Sequence, residues 1–240
     1  MAMLKVSVVV PAFNEEARLA KCFESIKAQT FKPYEIILGD GSSTDRTRQI
    51  AKDYAVKIVV QKERSAAIQR QGAANVAKGD IIAFTDADSI ADRDWLKKTV
   101  EEFEKGPQTV GVYGPVHLFD GSWLDRIVSK YFFSTYLWLS GLIDWPSMAG
   151  MNMAVRADDF RKIGGFDTSL ATAEDLDLSR RLKHHGKIRF SGGIVYTSAR
   201  RIKKWGYLKF FWYHFTNLVA FHTTGKPHGT YENVKYENIR

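Results

Sequence analysis

Apolar and polar positions alternate in two ways along the first half of the chain. Short β-branched or apolar runs predict strands, and segments with apolar residues three or four positions apart predict helices. The predicted strands are 6–10, 34–38, 56–60, 80–85 and 110–116, and the predicted helices between them are 44–54, 65–77 and 94–104. Strands that alternate with helices are typical of βαβ units, so an α/β fold with a largely parallel sheet is predicted.

The segment after the first strand also has helical periodicity. Leu19, Cys22, Phe23 and Ile26 form one apolar face. Asn14 precedes them, and its side chain can cap a helix whose first turn would contain the two glutamates that follow it. We therefore predict that Asn14 caps the first helix and that Cys22 is a core residue.

The second half is less regular and rich in aromatic residues. Fifteen of the 31 aromatic residues lie in 123–145 and 205–222, which together hold 41 residues. The second stretch predicts an aromatic C-terminal helix, and another helix is predicted at about 173–185. Two interpretations are open. The aromatic stretches are core helices that pack against each other, or they form a surface for a membrane interface.

Charge is unevenly distributed. The formal net charge is +8, but 178–231 contains 11 Lys or Arg and no Asp or Glu, which leaves 24 basic and 27 acidic residues in the rest. The basic character therefore belongs to one C-terminal segment and predicts a local anionic partner. An anionic membrane surface beside the aromatic helix fits this distribution, because a buried pair of helices needs no cations nearby.

Composition narrows the class of protein. A chain of 240 residues that is 45% hydrophobic and 26% charged suits one large α/β domain or two closely joined lobes, and excludes disorder, collagen and coiled coil. The single cysteine, Cys22, excludes an internal disulfide and indicates a reducing compartment. No apolar run is long enough for an ordinary membrane span, and the N-terminus does not resemble a signal peptide. We therefore expect a cytoplasmic protein.

Acidic residues follow three of the predicted strands. They are Glu15 after the first, Asp40 and Asp45 after the second, and Asp86 and Asp88 after the apolar run 81–84. Ligands bind at the carboxyl ends of strands in an open parallel sheet, so these residues should share one rim. Because crowded carboxylates repel one another, a divalent metal ion and ligand donors are expected to offset their charge. Asp86 and Asp88 suit Mg²⁺ or Mn²⁺ shared with a diphosphate, although such a pair alone is often only a turn.

Other phosphate and metal motifs are absent from the sequence. There is no GxGxxG, no GxxxxGK[ST] and no His/Cys spacing typical of zinc. Farther along, Glu174 and Asp175 lie at the start of a predicted helix. They either offset the helix dipole or supply a carboxylate base directed into a cleft.

Together these segments resemble the inverting glycosyltransferases of family 2, whose GT-A fold has a Rossmann-like, mostly parallel central sheet flanked by helices. The resemblance covers 5–201, with the motifs in the family's order. They are Val-Val-Pro-Ala-Phe-Asn-Glu-Glu at 9–16, Asp-Gly-Ser-Ser-Thr-Asp-Arg-Thr at 40–47, Arg70 ahead of Ala-Lys-Gly-Asp at 77–80, Phe-Thr-Asp-Ala-Asp at 84–88, Gly-Phe-Asp at 165–167 and Glu-Asp-Leu-Asp-Leu at 174–178. Each motif is weak alone, and their order makes the resemblance specific.

The resemblance implies a role for each matched residue. The implied nucleotide-binding residues are Pro11, Phe13, Glu15, Asp40 for the base, Asp45 in support of that loop, Arg64 and Arg70 for the base or diphosphate, and Asp86 at the ribose and metal edge. Asp88, with Asp86, would bind Mn²⁺ or Mg²⁺. Asp175 matches the family's general base, with Glu174 beside it, and would take the proton of the acceptor hydroxyl. The metal would offset charge on the departing nucleoside diphosphate.

The sequence departs from the family pattern near the implied metal. Many members have a His after the last strand, where this chain has Val-Tyr-Thr-Ser-Ala-Arg-Arg at 195–201. The metal then has one protein ligand, or Arg200 and Arg201 take over part of the diphosphate charge, or the enzyme works without a metal. Arg180 is a further candidate for contact with the acceptor or a phosphate.

We expect one GT-A domain over 3–222, with a nucleotide-sugar-binding half at 3–118 and an acceptor-binding half at 119–222, followed by a polar tail at 223–240. The helical, aromatic and basic C-terminal region suggests a lipid acceptor, either a polyprenyl phosphate or a lipid-linked sugar. It also suggests a peripheral position on the inner face of the membrane. A soluble transferase with a non-lipid acceptor is the alternative. The motifs fit UDP-sugars and GDP-sugars equally and leave the oligomeric state open.

Two other classes of protein fit less well. A sugar-nucleotide nucleotidyltransferase would have a Gly-rich, Arg-containing loop after the first strand, where this chain has Pro-Ala-Phe-Asn-Glu at 11–15. A nucleic-acid-binding domain would have a basic cleft, whereas the strand-end face here is acidic.

Overall fold

The computed structural model of the protein describes residues 4–142, 145–170 and 172–224. Its strands are β1 (Val6–Ala12), β2 (Glu35–Asp40), β3 (Lys57–Val60), β4 (Ile81–Phe84), β5 (Ser89–Ala91), β6 (Thr109–Tyr113), β7 (Val116–Leu118), β8 (Met153–Arg156), β9 (Lys187–Phe190) and β10 (Val195–Thr197). Its helices are α1 (Leu19–Lys27), α2 (Thr47–Asp53), α3 (Ala66–Ala74), α4 (Trp95–Glu104), α5 (Trp123–Ile127), α6 (Ser134–Leu142), α7 (Ala157–Lys162), α8 (Glu174–Lys183), α9 (Arg200–Trp205) and α10 (Tyr207–Thr224). A π-helical turn (Val128–Phe133) joins α5 to α6.

The central sheet has seven strands in the order β3-β2-β1-β4-β8-β6-β9 among the described residues. β8 is antiparallel to both of its neighbours, and the other neighbouring strands are parallel. The predicted α/β fold with a mostly parallel sheet is therefore confirmed. In the register of β1 and β2, Ala12 lies opposite Asp40, so both strands end at the same edge of the sheet.

Apolar layers cover both faces of this sheet. On one face, α1 and α4 bury Phe23 and Trp95, and Cys22 lies among them as predicted. On the other face, the ring of Phe84 packs edge-on against Phe166, with 5.2 Å between ring centroids, and Leu178 and Leu182 of α8 belong to the same cluster. The sheet is thus covered on both faces, and the loops at its strand ends are the natural place for a site.

The prediction that Asn14 caps the first helix is wrong. Asn14 has φ = 54° and α1 begins only at Leu19. Its side-chain oxygen instead accepts a hydrogen bond from the backbone N–H of Thr44 at 2.9 Å. Because asparagine tolerates the left-handed conformation, the chain turns here and ties the loop after β1 to the loop after β2.

The strand predicted at 110–116 is divided in two. β6 belongs to the central sheet, whereas β7 belongs to a second sheet of order β5-β10-β7. Between them lie Gly114 and Pro115, and a Cβ at Gly114 would collide with the carbonyl oxygen of Gly193. The close approach and the missing proline N–H end the first strand and redirect the chain. The predicted boundaries did not include this second sheet.

The C-terminal helix has its predicted length but lies two residues later, because α10 begins at Tyr207 and includes Thr223 and Thr224 of the predicted polar tail. The rest of the predicted polar tail, 225–240, lies outside the described residues. Among the residues that are described, no helix is long and apolar enough to cross a membrane. The division of the domain into halves at 118 and 119 stays a prediction.

Candidate functional site

A chamber of about 550 Å³ opens at the carboxyl ends of β1 and β4. Its polar wall is formed by residues from the loops after these strands, from α3 and from the start of α8: Glu15, Arg70, Asp86, Asp88, Glu174 and Asp175. Its apolar wall is formed by residues from β7, the α5–α6 segment and α10: Val116, Leu118, Phe132, Phe133, Tyr136 and Phe215. The polar residues are therefore continuous with an apolar space.

Beyond the polar wall, the loop after β2 holds a buried carboxylate. Oδ2 of Asp40 accepts a hydrogen bond from the backbone N–H of Ser43 at 3.0 Å and lies 3.7 Å from Nε of Arg48. Its other oxygen, Oδ1, is buried and has no hydrogen-bond partner within the described part of the chain. An acceptor left in this state is destabilising unless a ligand donates to it.

A buried donor lies beside Gly41, the residue that follows Asp40. Nε2 of Gln69 also has no hydrogen-bond partner among the residues described, and a Cβ at Gly41 would collide with it. The missing side chain at Gly41 therefore lets the amide lie against the loop after β2. The guanidinium of Arg64 stacks over the ring of Phe13, 4.3 Å from its centroid, beside the same loop.

Arg70 connects α3 with the polar wall. Its guanidinium is 2.7 Å from Oδ1 of Asp86 and 2.5 Å from Oε1 of Glu174. The side chain is buried against Gly150, where a Cβ would lie 2.7 Å from Nη2. One arginine thus partly neutralises two carboxylates that come from β4 and α8.

Asp175 is held by backbone N–H groups at the start of α8. Its Oδ2 accepts from Gly150 and its Oδ1 from Leu176, each at 2.9 Å. Burial raises the pKa of Asp175 above its usual value, while Arg70 and these N–H groups act in the opposite direction. Burial and the adjacent Asp175 raise the pKa of Glu174 as well. Both carboxyl groups of the pair therefore bind a proton more strongly than an exposed acid does.

Arg200 forms ion pairs with the two remaining acids of the polar wall, here called the strand-end rim. Its Nη2 is 2.7 Å from Oε1 of Glu15 and 2.8 Å from Oδ2 of Asp88. Asp120 holds the start of α9, because its carboxylate accepts from the Ser198 hydroxyl at 2.7 Å and from the Ala199 N–H at 2.6 Å. A charge from the C-terminal half of the chain therefore reaches the strand-end rim.

Comparison with known proteins identifies the class to which this arrangement belongs. The family model described as "Glycosyl transferase family 2" matches residues 7–164. The chain belongs to this family.

Curated relatives are similar over most of the chain. A glucosyl-dolichyl phosphate glucuronosyltransferase of Haloferax volcanii is 27% identical in an alignment of 188 positions that covers 72% of this chain and 59% of the relative. A dolichyl N-acetyl-α-D-glucosaminyl phosphate 3-β-D-2,3-diacetamido-2,3-dideoxy-β-D-glucuronosyltransferase of Methanococcus voltae is 26% identical, over 83% of this chain and 68% of the relative. The chain therefore spans about three fifths to two thirds of the length of these two proteins.

Solved structures share the fold. A mannosyltransferase from Pyrobaculum calidifontis, in complex with GDP-Man and Mn²⁺, superposes with a TM-score of 0.67 at 21% identity, over 83% of this chain and 58% of that one. S. aureus TarS 1–349 in complex with UDP-GlcNAc gives 0.64 at 18% identity, over 81% of this chain and 58% of that one. The GT-A fold expected from the sequence is confirmed.

The fold family implies a divalent metal ion, and the residues at the rim can be tested for it. Among the described residues, no group of three or more His, Cys, Asp or Glu is arranged to hold a metal ion. Asp86 and Asp88 offer two hard carboxylates on one wall of the chamber, and an arginine binds one oxygen of each. Magnesium and manganese bind in this way when substrate phosphates and water complete the coordination. The donor set therefore fits a metal that binds together with a diphosphate.

Most of the residues predicted for the site lie together. The residues that line the chamber are Pro11, Glu15, Arg70, Asp86, Asp88, Glu174, Asp175 and Arg200. Phe13, Asp40 and Arg64 lie beside the adjoining loop after β2. Arg180 is exposed on α8 and is not among the residues that line the chamber, so the structure does not bring it to the other site residues. The side chain of Arg201 lies outside the described residues. Roles for all of these residues remain predictions.

Two contributors were missed from the sequence. Gln69 had no motif to mark it, and only its position one residue before Arg70 could have drawn attention to it. The backbone N–H of Gly150 is invisible to a search for chemical side chains. Its contact with Asp175 depends on the fold, because the two residues are 25 positions apart.

Proposed function

We propose that this chain transfers a sugar, with inversion, from a nucleotide-diphospho-sugar to a lipid-linked acceptor. One observation carries the proposal: Asp175 lies in a single chamber whose other residues are strand-end carboxylates on one side and aromatic and aliphatic side chains on the other. A charged donor and an apolar acceptor can then meet at one carboxylate. Membership of family 2 and the dolichyl-linked acceptors in the names of two relatives support the same assignment.

The donor's nucleotide would bind in the loops after β1 and β2. The orphaned acceptor of Asp40 and the orphaned donor of Gln69 match the adjacent N–H and carbonyl on the Watson–Crick edge of uracil or guanine. The exposed guanidinium of Arg64, stacked on the buried ring of Phe13, offers a flat surface for the base, and Pro11 and Glu15 line the chamber. A UDP-sugar or a GDP-sugar is therefore the proposed donor.

The diphosphate would lie along the acidic rim. Asp88 and Asp86 would hold Mn²⁺ or Mg²⁺ together with it, and the bound metal would offset charge on the departing nucleoside diphosphate. Arg70 and Arg200 keep the carboxylates of the rim partly neutralised, so the anionic donor meets less repulsion. Both arginines are held by acidic partners in the structure, which keeps their charges within the site.

The chemical step would be a single displacement. Asp175 takes the proton of the acceptor hydroxyl as that oxygen forms a bond to the anomeric carbon. The bond from the anomeric carbon to the diphosphate oxygen breaks, and the diphosphate leaves with the electron pair from the opposite face. This geometry inverts the configuration. Glu174, pinned by Arg70, would orient the start of α8 so that Asp175 faces the chamber.

A hydroxyl on a lipid-linked sugar is a better acceptor for this site than a polyprenyl phosphate. A phosphate oxygen is already anionic and needs no base, whereas a sugar hydroxyl must lose a proton, and Asp175, whose pKa is raised by burial, can accept it. The acidic rim would also repel a second phosphate unless an arginine met it. The lipid chain would occupy the apolar part of the chamber, and the reaction would take place at the inner face of the membrane.

Release of nucleoside diphosphate from a panel of UDP-, GDP- and dTDP-sugars tests the proposal. The assay is run with Mn²⁺, Mg²⁺ or EDTA, and with a lipid-linked sugar, a polyprenyl phosphate or no lipid in detergent. Metal-dependent release from one donor that the lipid-linked sugar stimulates is the expected result. Release that no lipid changes would contradict the acceptor, and no release or binding with any donor would contradict the enzyme.

A further inference from the structure

The segment from α5 to α6 has its apolar and polar sides reversed relative to an ordinary surface helix. Ser129, Ser134 and Ser140 face inward and are buried, while Trp123 and Phe132 are 72% and 69% exposed. Surface helices of soluble proteins bury their apolar stripe and expose their polar one. Large aromatic side chains on the outside therefore favour a partner, and burial within the described part of the chain does not supply it.

Specific hydrogen bonds hold the segment in this orientation. The hydroxyl of Ser129 accepts from the backbone N–H of Leu118 at 3.0 Å, and the hydroxyl of Ser134 donates to the carbonyl of Val116 at 3.2 Å. These serines are five residues apart, and the π-helical turn between them brings both against β7. The serine side is thus anchored to the second sheet, and the aromatic side has to face outward.

α10 presents a second outward apolar stripe. Leu208, Trp212, Phe215 and Val219 follow a spacing of four, three and four residues and are all exposed, with Leu208 90% and Trp212 69% exposed. Asn217 and Phe221 on the opposite side are buried. The face that packs on the protein is therefore already used, and the exposed stripe is additional. Because Phe132 and Phe215 line the same chamber, the two exposed surfaces flank it.

The charges near these surfaces have one sign. Within 123–142 and 200–224 the only acidic residue is Asp125, which is buried and caps α5 through Ser122. Arg126, Lys130, Lys204 and Lys209 are exposed on the same helices. Aromatic side chains with lysine and arginine beside them are typical of surfaces that lie in a headgroup layer.

We propose that the exposed apolar side chains of 123–142 and 207–224, here called the aromatic rim, dock on an anionic lipid bilayer. A second copy of the chain would bring like charges together, whereas phosphate headgroups would pair with them. Tryptophan and tyrosine suit the boundary between headgroups and acyl chains. This inference extends the proposed function, because the docked rim would place the mouth of the apolar chamber against the layer that contains a lipid-linked acceptor. The docking itself requires no catalysis.

Flotation with vesicles tests the proposal without donor or acceptor. The full chain is mixed with vesicles of phosphatidylcholine alone, or with one quarter phosphatidylglycerol, at low and high salt. We expect flotation with the anionic vesicles, weaker flotation with the neutral ones and a decrease with salt. Brominated lipids should quench the tryptophan fluorescence of the wild-type chain, a readout that depends on no variant.

Variants then assign the binding surface. Trp138→Ser with Trp212→Ser removes apolar contact outside the chamber, and we expect the partition coefficient to fall about tenfold or more. The double variant Lys204→Glu with Lys209→Glu should lower the partition coefficient about 30-fold or more, and only on the anionic vesicles. Tyr34→Ser is the matched control, since Tyr34 is 52% exposed but belongs to neither helical segment. Circular dichroism checks that each variant is folded.

Three results would overturn the proposal. They are absence of flotation with both vesicles at low salt, equal losses in the control variant, or a dimer in light scattering that the tryptophan variants convert to monomer. The last result would assign the aromatic rim to a second copy. Failure of the proposed function is distinguishable, because it appears as absent nucleotide release in detergent whether or not vesicles are bound.

Discussion

The strand-end rim and the aromatic rim satisfy their side chains in opposite ways. In the strand-end rim, each buried acid that faces the chamber has a partner within the chain, such as Arg70 for Glu174 and Arg200 for Glu15. In the aromatic rim, Trp212 and Phe132 remain exposed to solvent although they are among the most apolar residues present. The charges of the strand-end rim are thus paired within the chain, whereas these apolar side chains of the aromatic rim are left exposed. The first region is here called compensated and the second uncompensated.

This difference indicates where each partner comes from. A compensated polar site holds its geometry before the ligand arrives, which suits a small charged donor that diffuses in from water. An uncompensated apolar surface is favourable only when something covers it, which suits a partner that is always present as a continuous layer.

The largest effect is expected at Asp175. Asp175→Asn removes the proton acceptor while keeping the shape, and turnover with a hydroxyl acceptor should fall by about 10²–10⁴-fold. The affinity for the nucleotide should stay unchanged, because Asp175 lies outside the loops after β1 and β2 that are proposed to bind the base. Asp177→Asn is the matched control, since Asp177 lies on the same helix but pairs with Arg181 outside the chamber. Steady-state rates and calorimetric binding measure the two quantities, and near-normal turnover would mean that the acceptor oxygen is already anionic.

The pH dependence of the same reaction tests whether the pKa of Asp175 is raised above its usual value. Burial raises the pKa of Asp175, and only the deprotonated carboxylate can accept a proton. The rate should therefore fall as pH decreases through this raised pKa, at a pH above the usual range for an aspartate. A profile of kcat/KM against pH measures it. The acidic limb should be absent from the residual activity of Asp175→Asn, and a limb that persists there would belong to another group.

Arg200→Gln should have the next largest effect, on stability. Glu15 and Asp88 are nearly buried and would lose a shared cation. The free energy of unfolding should fall by about 1–3 kcal/mol, and each kcal/mol lowers the melting temperature by about 2–4 °C for a chain of this size.

Glu15→Gln in the Arg200→Gln background provides the control for that change. If the loss comes from the uncompensated carboxylate, the second substitution should restore part of it in a double-mutant cycle. Thermal unfolding of the four proteins measures this coupling. Additive losses would show that Arg200 stabilises α9 rather than the strand-end rim.

Gln69→Leu should have a smaller effect, confined to the donor. It removes the buried N–H₂ donor with little change in volume, so nucleoside diphosphate affinity should fall by about 2- to 12-fold. Isothermal titration calorimetry measures the affinity. Gln49→Leu, on the exposed side of α2, should leave it unchanged. Equal affinities for wild type and Gln69→Leu would remove Gln69 from base recognition.

These experiments also divide what the sequence could predict from what it could not. Alternating apolar runs identified β1, β2 and β4, and strand ends in an open sheet meet at one edge, so Glu15 and Asp86 could be placed together in advance. The ion pair of Arg200 with Glu15 joins residues 185 positions apart, and no local pattern predicts such a contact. Loop conformations also escaped, as with the left-handed Asn14.

The aromatic stretches show a different limit. Their spacing predicted helices, but helical periodicity does not say which face of a helix points inward. For Leu208 and Trp212, packing of these stretches as two core helices is wrong, because both side chains are exposed. The signal that could have decided the question is the serine side of 123–142, where Ser129 and Ser134 have backbone partners in β7.

The smallest effect is expected at Trp212, where a nearly unchanged free energy of unfolding tests whether the side chain is uncovered in solution. A side chain that only water covers contributes little to folding, so Trp212→Ser should change the free energy of unfolding by less than about 0.5 kcal/mol without lipid. Phe221→Ala, on the buried side of the same helix, should cost about 3–5 kcal/mol. Chemical denaturation of both variants measures the contrast. A loss above about 1 kcal/mol at Trp212 would mean that the exposed stripe of α10 is already covered in solution. Both rims would then be satisfied by the protein itself, and the aromatic rim would need no lipid layer.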